Sequence, residues 1–371
     1  MVTYPEDWRE VKLGEALVYT QPTNYIENNY VEHGVVPVLT AGKSFILGYS
    51  DKTDSAYKNL PAILFDDFTT EVRYLDYPFM VKSSATKFLN LKSDYYDIKY
   101  LYYWLDKLKF QIEAHERHWI SRFSKFNVVL PPLAEQQAIA SALSDFDEHI
   151  DNLTELIEKK KAIRDGALED LVSGRTRLDG FNGEWISVKL SDFAQINPSS
   201  ALPEVFKYVD LESVKGITLM GWRVERKETA PSRAKRLAQF GDIFFQTVRP
   251  YQRNNYLFEL SDEDVVFSTG YAQLRTKNDA RFLFLLLRQD DFVNEVLDNC
   301  TGTSYPAINP SKLSDIKIYV PIDKNEQQAI AEVLTAMDEE IESLKIEKEK
   351  MIQIKEGAMD DLLTGRVRLK V

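Results

Sequence analysis

Residues 135–178 read EQQAIASALSDFDEHIDNLTELIEKKKAIRDGALEDLVSGRTRL, and residues 326–369 read EQQAIAEVLTAMDEEIESLKIEKEKMIQIKEGAMDDLLTGRVRL. The two copies align without a gap at an offset of 191, and 22 of their 44 positions are identical. The sequence before each copy also begins alike, with the pattern Trp-x-x-Val-Lys-Leu starting at Trp8 and again at Trp185. The chain is therefore an internal duplication, in which a globular segment is followed by a shared segment.

Each copy of the shared segment is predicted to be one long helix. Apolar residues recur three or four positions apart, as in the series from Leu143 to Ile157. Prolines precede both copies, and Gly174 and Gly365 near the end of each copy are typical of the residue that ends a helix. A helix over residues 135–172 would be ~57 Å long at 1.5 Å per residue.

So long an apolar stripe needs a partner, and the other copy of the helix is the simplest one. Antiparallel pairing would place the two globular domains at opposite ends, related by a pseudo-twofold axis. Packing of each stripe against its own domain is the alternative. Gly166 and Gly357 lie inside the helices at matching positions. Close approach of the helices would explain both glycines, and a simple kink is the alternative.

The globular halves show a mixed pattern of strands and helices. Short apolar runs predict strands at residues 35–39, 62–65, 127–130, 242–246, 264–267 and 316–320, and helices are predicted at residues 98–112 and 281–297. The predicted fold class is α+β, with two α/β domains in tandem and two long helices paired as an antiparallel coiled coil. The predicted boundaries are residues 1–130 and 179–320 for the globular domains, and residues 131–178 and 321–371 for the helical regions.

Composition excludes several classes of protein. The single cysteine, Cys300, rules out an internal disulfide framework and fits a reducing cytoplasm. No stretch approaches the ~18 apolar residues of a membrane span, residues 1–10 have no signal-peptide pattern, and the four histidines have no metal-site spacing. We therefore expect a cytoplasmic chain with no membrane association and no metal.

The sequence contains no complete catalytic motif. The phosphate-loop pattern ending at residues 42–44 fails because Pro37 occupies its first glycine position. The carboxylates at residues 66, 67 and 71 lack the lysine of many nucleases, and neither Asn197–Pro198 nor Asn309–Pro310 continues as an adenine methyltransferase motif. We expect no catalysis by this chain alone, and a nuclease or methyltransferase with an unfamiliar site is the enzymatic alternative.

The charge is unevenly distributed along the chain. The net charge of −12 argues against binding to nucleic acid, but residues 144–158 alone carry six acidic side chains and no Lys or Arg. Residues 221–256 instead have a net charge of +5 and are rich in Arg, Gln, Asn and aromatic residues. Such side chains pair with base edges and contact the DNA backbone.

Sixteen residues in polar, basic or aromatic stretches are candidate DNA contacts. They are Lys43, Ser44, Lys82, Lys87, Arg117, Arg122 and Lys125 in the first half, and Arg223, Arg233, Arg236, Arg249, Tyr251, Arg253, Asn254, Thr303 and Tyr305 in the second. A solvated surface without a ligand is the alternative interpretation of each cluster.

These motifs together resemble the specificity subunits of type I restriction–modification systems. The run Pro-Pro-Leu-x-Glu-Gln-Gln-x-Ile-Ala at residues 131–140 and the ending Leu-Val-Ser-Gly-Arg-Thr-Arg-Leu at residues 171–178 are similar to the limits of that family's conserved regions. The pieces at residues 241–250, 268–271 and 301–309 are similar to parts of its target recognition domains. The first half lacks the Gly-Asp piece of residues 241–242 and the Thr-Gly-Thr-Ser-Tyr-Pro piece of residues 301–306, as expected if the two domains read different sequences.

The resemblance implies a division of labour among subunits. Two target recognition domains would read a bipartite, asymmetric duplex DNA target through the major groove, and the helices would set the spacing between its halves. Modification subunits, two per chain, would bind S-adenosylmethionine and methylate adenine at N6, and restriction subunits would use ATP and Mg²⁺ for translocation and cleavage. This chain would hold no cofactor. A structural adaptor that binds only proteins is the alternative function.

Overall fold

A computed structural model describes residues 4–40, 44–108 and 118–370 of the chain. The chain divides into two compact units, one formed by Met1–Glu155 with Lys345–Val371 and the other by Leu156–Leu344. Each unit therefore contains one globular half together with part of each long helix. The four segment boundaries predicted from the sequence stay a prediction.

The first unit is built mainly from short strands. The strands are β1 (Arg9–Lys12), β2 (Leu17–Thr20), β3 (Val36–Leu39), β4 (Ile46–Ser50), β5 (Ala62–Asp66), β6 (Val72–Leu75), β7 (Met80–Val81), β8 (Thr86–Leu91) and β9 (Asn127–Leu130). The helices are α1 (Leu13–Ala16), α2 (Ile98–Lys107), α3 (His118–Ser121) and the first part of α4 (Leu133–Ser173), with 3₁₀ turns at Pro22–Tyr25, Thr53–Ser55 and Phe123–Lys125.

The described part of this unit contains two sheets and one further strand pair. The order β2-β8-β5-β6 forms an antiparallel sheet, β4-β3-β7 forms a second sheet in which β3 and β7 are parallel, and β1 pairs with β9. The core between the first sheet and the helices includes Phe65, Tyr100 and Trp119, all of which are buried. The predicted strands of the first half and the start of its helix are confirmed. The predicted helix end at residue 112 is wrong, because Leu108 leaves the helical conformation (φ −71°, ψ 82°) and α2 ends at Lys107.

The second unit repeats this plan with more strands. The strands are β10 (Trp185–Lys189), β11 (Ala194–Ile196), β12 (Val205–Val209), β13 (Val214–Lys215), β14 (Thr218–Leu219), β15 (Arg223–Arg226), β16 (Ala234–Leu237), β17 (Ile243–Gln246), β18 (Tyr256–Leu257), β19 (Val265–Ser268), β20 (Tyr271–Thr276) and β21 (Lys317–Pro321). The helices are α5 (Leu190–Phe193), α6 (Ala280–Leu286), α7 (Asp290–Asp298), α8 (Pro310–Asp315) and the first part of α9 (Lys324–Leu362), with a 3₁₀ turn at Pro250–Gln252.

The second unit also has an antiparallel four-stranded sheet, a second sheet that contains a parallel pair, and a pair between its first and last strands. The order β11-β20-β17-β18 is antiparallel, β15-β12-β19-β16 is mixed, β13 pairs with β14, and β10 pairs with β21. The single helix predicted at residues 281–297 is wrong. The structure has α6 and α7 there, because Gln289 adopts an extended conformation (φ −63°, ψ 145°) and begins a new helix.

The long helices α4 and α9 run antiparallel to each other within each unit. In the first unit Lys355 Nζ lies 2.6 Å from Asp147 Oδ1, and in the second Arg164 Nε lies 2.8 Å from Asp338 Oδ1. The offset of 191 relates these two pairs to each other. The predicted antiparallel pairing is therefore confirmed. The ends of both helices also pack into the cores of the domains, as the alternative interpretation expected.

The helix ends are fixed in the same way in both repeats. Gly174 (φ +75°) and Gly365 (φ +72°) end the helices in the left-handed conformation, as predicted. Beyond these glycines, Arg177 donates to the buried carboxylate of Glu326 (2.7 Å) and Arg368 donates to that of Glu135 (2.6 Å). The end of each helix is therefore tied to the start of the other helix.

The interpretation of Gly166 and Gly357 as points of close helix approach is wrong. A Cβ atom added at either position would meet no atom within 4 Å apart from its chain neighbours and the nearby backbone of its own helix, and both residues are exposed. Close packing therefore does not require glycine at these two positions. Among the described residues, no helix has the length and apolar character that a membrane crossing needs.

Candidate nucleic-acid interface

In the second unit, three loops meet at one edge of the recognition domain. The loop between β19 and β20 contacts the residue before β16, because Thr269 N donates to Arg233 O (2.8 Å). The loop after β17 lies next to it, because both the backbone nitrogen and the hydroxyl of Thr247 donate to Gly270 O (2.9 and 2.8 Å). These contacts bring segments that are far apart in sequence to the same place.

The loop between α7 and α8 completes this edge. Ile308 N donates to Thr247 O (3.0 Å), and Arg249 N donates to Pro306 O (2.7 Å). Thr303 and Tyr305 in this loop are exposed, and Tyr305 keeps 64% of its surface accessible. We call the segments 247–254, 268–270 and 301–306 the recognition edge of the second unit.

The loop 247–254 has a defined conformation that its neighbours stabilise. Arg249 (φ 55°) and Arg253 (φ 53°) both adopt the left-handed region, which is unfavourable for residues other than glycine. The buried side chain of Gln246 donates to Gln252 Oε1 (2.9 Å) and accepts from Asn254 N (3.1 Å). The loop is therefore held in its shape from inside the domain.

The two left-handed arginines have different surroundings. The Arg249 guanidinium lies 4.2 Å from the centroid of the Tyr305 ring, and no carboxylate of a described residue lies within 4 Å of it. The Arg253 guanidinium instead forms an ion pair with Asp290 (2.6 Å) and donates to the Arg288 carbonyl (3.4 Å). Arg249 is therefore the more available of the two for a ligand.

Most other candidates in the second half lie on or beside this edge. Tyr251 is exposed on the 3₁₀ turn, and Asn254 Oδ1 accepts from Gly216 N (2.8 Å). Arg223 pairs with Asp210 (3.2 Å), whose carbonyl accepts from the Tyr271 hydroxyl at the end of the 268–270 loop.

Arg236 is the exception in the second half. It lies within β16, its Nε is buried, and burial lowers the pKa of its guanidinium. It is therefore less available than the residues of the edge.

The first unit has an edge of the same construction, centred on Asp67. Asp67 N donates to Ala85 O (2.8 Å), and Asp67 O accepts from His118 N (3.1 Å), just as Thr247 does with Gly270 and Ile308. The Asp67 carboxylate also accepts from Trp119 N (2.9 Å). The backbone framework of the edge is thus shared between the units, while the side chains differ.

The assignment of Lys87 as a DNA contact does not fit the structure. Its side chain is 0% exposed, and its Nζ lies 2.9 Å from Asp67 Oδ2 inside the domain. This lysine neutralises the carboxylate that holds the start of α3, so it has an internal partner instead of a surface role.

The remaining candidates of the first half have different positions. Lys43 and Arg117 lie outside the described residues. Ser44 is exposed, and Lys82 lies beside the edge, with its Nζ 5.0 Å from the Tyr30 ring centroid. Arg122 is half-buried.

Lys125 is exposed, but it lies seven residues after His118, the residue that contacts Asp67. The carbonyl of the next residue, Phe126, accepts from Leu13 N. Lys125 is therefore not brought to the edge.

Sequence reasoning missed the buried polar residues that hold these loops. Gln246, Thr247 and Asn255 are each at most 6% exposed, and Asp67 is fully buried. The available signal was a polar residue at the end of an apolar strand, which indicates a buried hydrogen-bonding role when the strand is central.

A family model described as a type I restriction modification DNA specificity domain matches residues 5–162 and again residues 182–355. The specificity subunit of the type I restriction enzyme EcoR124I/EcoR124II from Escherichia coli is 39% identical over 163 aligned positions, which cover 40% of this chain and 40% of that relative. The MjaVIII specificity subunit from Methanocaldococcus jannaschii is 26% identical over 415 aligned positions, which cover 99% and 94%.

Two solved structures share the fold. The S subunit of a type I restriction–modification system from M. genitalium has a TM-score of 0.64 at 19% identity, with 96% of each chain covered. The HsdS subunit from Thermoanaerobacter tengcongensis has a TM-score of 0.51 at 15% identity, with 98% of each chain covered. At these identities the likeness concerns the fold alone.

Proposed function

Because the chain belongs to the type I restriction–modification DNA specificity family, we propose that it selects a bipartite duplex DNA target for the other subunits of such a system. One observation carries this proposal. Each repeat builds the same three-loop edge, around Asp67 in the first unit and around Thr247 in the second. Two edges with a common framework but different side chains are suited to reading two different half-sites.

The chemistry of the second edge supports DNA as the ligand. Arg233 and Arg249 have no carboxylate of a described residue within 4 Å. The Arg249 guanidinium lies over the exposed ring of Tyr305, and exposed Tyr251 follows Arg249 two positions later. Unpaired arginines attract phosphate and bind base edges, and tyrosines pack on sugars and bases. The acidic helices explain why the net charge of the whole chain is negative.

An exposed surface that recurs on both long helices supports the binding of two identical protein partners. Lys159, Ile163 and Gly166 lie three or four positions apart on α4, and each is exposed and has an identical, exposed counterpart 191 residues later. Ile163 and its counterpart Ile354 keep 50% and 53% of their surfaces accessible. A surface that is present twice, and that the packing of the chain does not require, fits two copies of a modification subunit.

The catalytic chemistry belongs to these partners in our proposal. The modification subunits bind S-adenosylmethionine and methylate adenine at N6, and restriction subunits use ATP and Mg²⁺ for DNA translocation and cleavage. The chain itself holds no cofactor and catalyses no reaction. The complex works in the cytoplasm, where its DNA target is found.

A binding experiment separates this function from that of a protein-only adaptor. The chain, assembled with its modification subunits, is titrated with duplex DNA at increasing salt concentrations. We expect specific binding that weakens with salt, because phosphate contacts release counterions. An absence of DNA binding by the assembled complex would instead favour the adaptor.

The docking surface has its own test and a matched control. Ile163→Glu and Ile354→Glu should each reduce the number of modification subunits bound, measured by the mass of the complex in solution. Ile346→Glu is the control, because Ile346 is 48% exposed on α9 and its counterpart in the first copy is Glu155. Equal effects of all three changes would exclude the repeated surface as the docking site.

A further inference from the structure

The geometry of the second recognition edge points to one base-reading residue: we propose that Arg249 reads a guanine in the half-site bound by the second unit. The inference rests on the DNA-reading function proposed above and assigns part of its specificity. It is carried by the backbone conformation, the aromatic contact and the free charge of this one residue.

The backbone of Arg249 is held in an unfavourable conformation for which the surrounding fold compensates. A left-handed φ costs a residue other than glycine a free energy of order 1–3 kcal/mol. Arg249 N donates to Pro306 O, and its neighbours are fixed by the Gln246 side chain. Such strain persists where a side chain must point in a defined direction.

The side chain of Arg249 is arranged before any ligand binds. Its guanidinium lies 4.2 Å from the Tyr305 ring centroid, a contact in which the cation faces the ring. The N–H groups of a guanidinium form a rigid fork, and no described residue accepts a hydrogen bond from that of Arg249, so its donors are available to a ligand. Binding would therefore cost little further side-chain entropy.

Guanine is the base that matches a free guanidinium fork. In the major groove guanine presents two acceptors, N7 and O6, whereas adenine presents one acceptor, N7, and one donor, its N6 amino group. A phosphate would also attract Arg249, but a phosphate contact does not require a pre-stacked side chain. The two ligands predict different outcomes, because loss of a base contact relaxes one position and loss of a phosphate contact weakens all sequences alike.

Two other arginines allow a comparison, Arg253 on the same edge and Arg233 beside it. Arg253 shares the left-handed conformation, but its guanidinium is already paired with Asp290. Arg233 is exposed and has no carboxylate of a described residue within 4 Å, but no aromatic ring among the described residues lies over its guanidinium. We therefore assign Arg233 to the DNA backbone and use it as the matched control.

The first experiment maps methylated adenines in cells that produce the chain with its modification subunits. Arg249→Ala should relax one guanine of one half-site, with discrimination falling about 5- to 150-fold, the equivalent of a lost bidentate contact. Arg233→Ala should lower methylation at all sites without changing the motif. A motif that is unchanged by Arg249→Ala overturns the assignment, whereas a wild-type chain that yields no bipartite motif overturns the proposed function itself.

The second experiment begins with the wild-type chain, whose folding no substitution disturbs, and then repeats the measurement with Arg249→Ala. The wild-type complex is titrated with its target DNA carrying 7-deazaguanine, which lacks the N7 acceptor, at each guanine of that half-site in turn. We expect binding to weaken about 5-fold or more at one guanine, and Arg249→Ala to remove that sensitivity. Equal affinity for all substituted targets would overturn the assignment.

Discussion

Lys355 and Asp147 form an ion pair between the two long helices, with 2.6 Å between Nζ and Oδ1. The repeat relates this pair to Arg164 and Asp338, so that each helix contributes the base to one pair and the acid to the other. Because both pairs recur at the offset of the duplication, they fix the same antiparallel register in both units. The register of the helices is thus encoded twice in the sequence.

The Arg164–Asp338 pair should contribute measurably to stability. Arg164 is only 8% exposed and contacts both carboxylate oxygens of Asp338. Arg164→Ala should lower the free energy of unfolding by about 1.5–3 kcal/mol, the range for hydrogen bonds to charged groups. Lys161→Ala, which removes an exposed pair within one helix turn, should cost no more than about 0.5 kcal/mol. Equal losses in urea unfolding would contradict this role of the buried arginine.

The exposed helix glycines should be replaceable without a loss of stability. Gly166→Ala and Gly357→Ala should each raise the free energy of unfolding by about 1 kcal/mol, because alanine favours the helix and its Cβ meets open space. Gly365→Ala should do the opposite, because its φ is +72° and its Cβ would lie 2.6 Å from Pro5 Cδ. Thermal unfolding of the three variants distinguishes these cases, and a destabilising Gly166→Ala would show that the helix needs glycine there.

Lys87 should act on stability and not on DNA affinity. Lys87→Met leaves the Asp67 carboxylate buried without its cation, and breaking a buried pair in this way costs about 3–5 kcal/mol. Lys82→Met, at the surface, should change stability by less than about 0.5 kcal/mol but weaken DNA binding. The opposite result would contradict this role: folded Lys87→Met protein would bind DNA more weakly, and Lys82→Met protein would bind it as wild type does.

The duplication, the long helices and their pairing could be predicted because they depend on local periodicity and on internal comparison. The apolar spacing from Leu143 to Ile157 is a property of the helix itself, and the second copy confirms it within the same chain. The fold class followed from the same pattern. The sequence does not indicate the break between α6 and α7, because apolar residues at helical spacing lie on both sides of Gln289, where the new helix begins.

The candidate site could be predicted only as a set of segments. Arg233, Arg249 and Tyr305 are brought together by backbone hydrogen bonds between loops that are far apart in sequence. Lys87 is a residue that the sequence wrongly assigns to the surface. It lies in a polar, basic stretch, but β8 is a central strand between β2 and β5 whose residues 86–90 are all buried, and the Lys87 side chain pairs with Asp67 inside the domain.

The attachment of the C-terminal segment should weaken in acid. The Arg368 guanidinium donates to the Asp7 carboxylate and holds the pKa of Asp7 below its usual range. A lowered folded-state pKa means that the contribution is present above the ordinary value of about 3.9 and is lost as the pH falls through the lowered pKa. The melting temperatures of wild type and Asp7→Asn should therefore differ near neutral pH and converge as the pH falls through the lowered pKa of Asp7. A difference in melting temperature that stays constant from neutral pH into acid would exclude the Asp7–Arg368 ion pair as its source.

The central claim is that this chain chooses the DNA sequence on which its partners act. The most direct test is a map of methylated adenines in the source genome, with the gene intact, with the gene deleted, and with residues 1–130 exchanged for another recognition domain. We predict one bipartite, asymmetric motif that disappears on deletion and changes in only one half-site on exchange. A methylation pattern that is the same in all three strains would contradict this account.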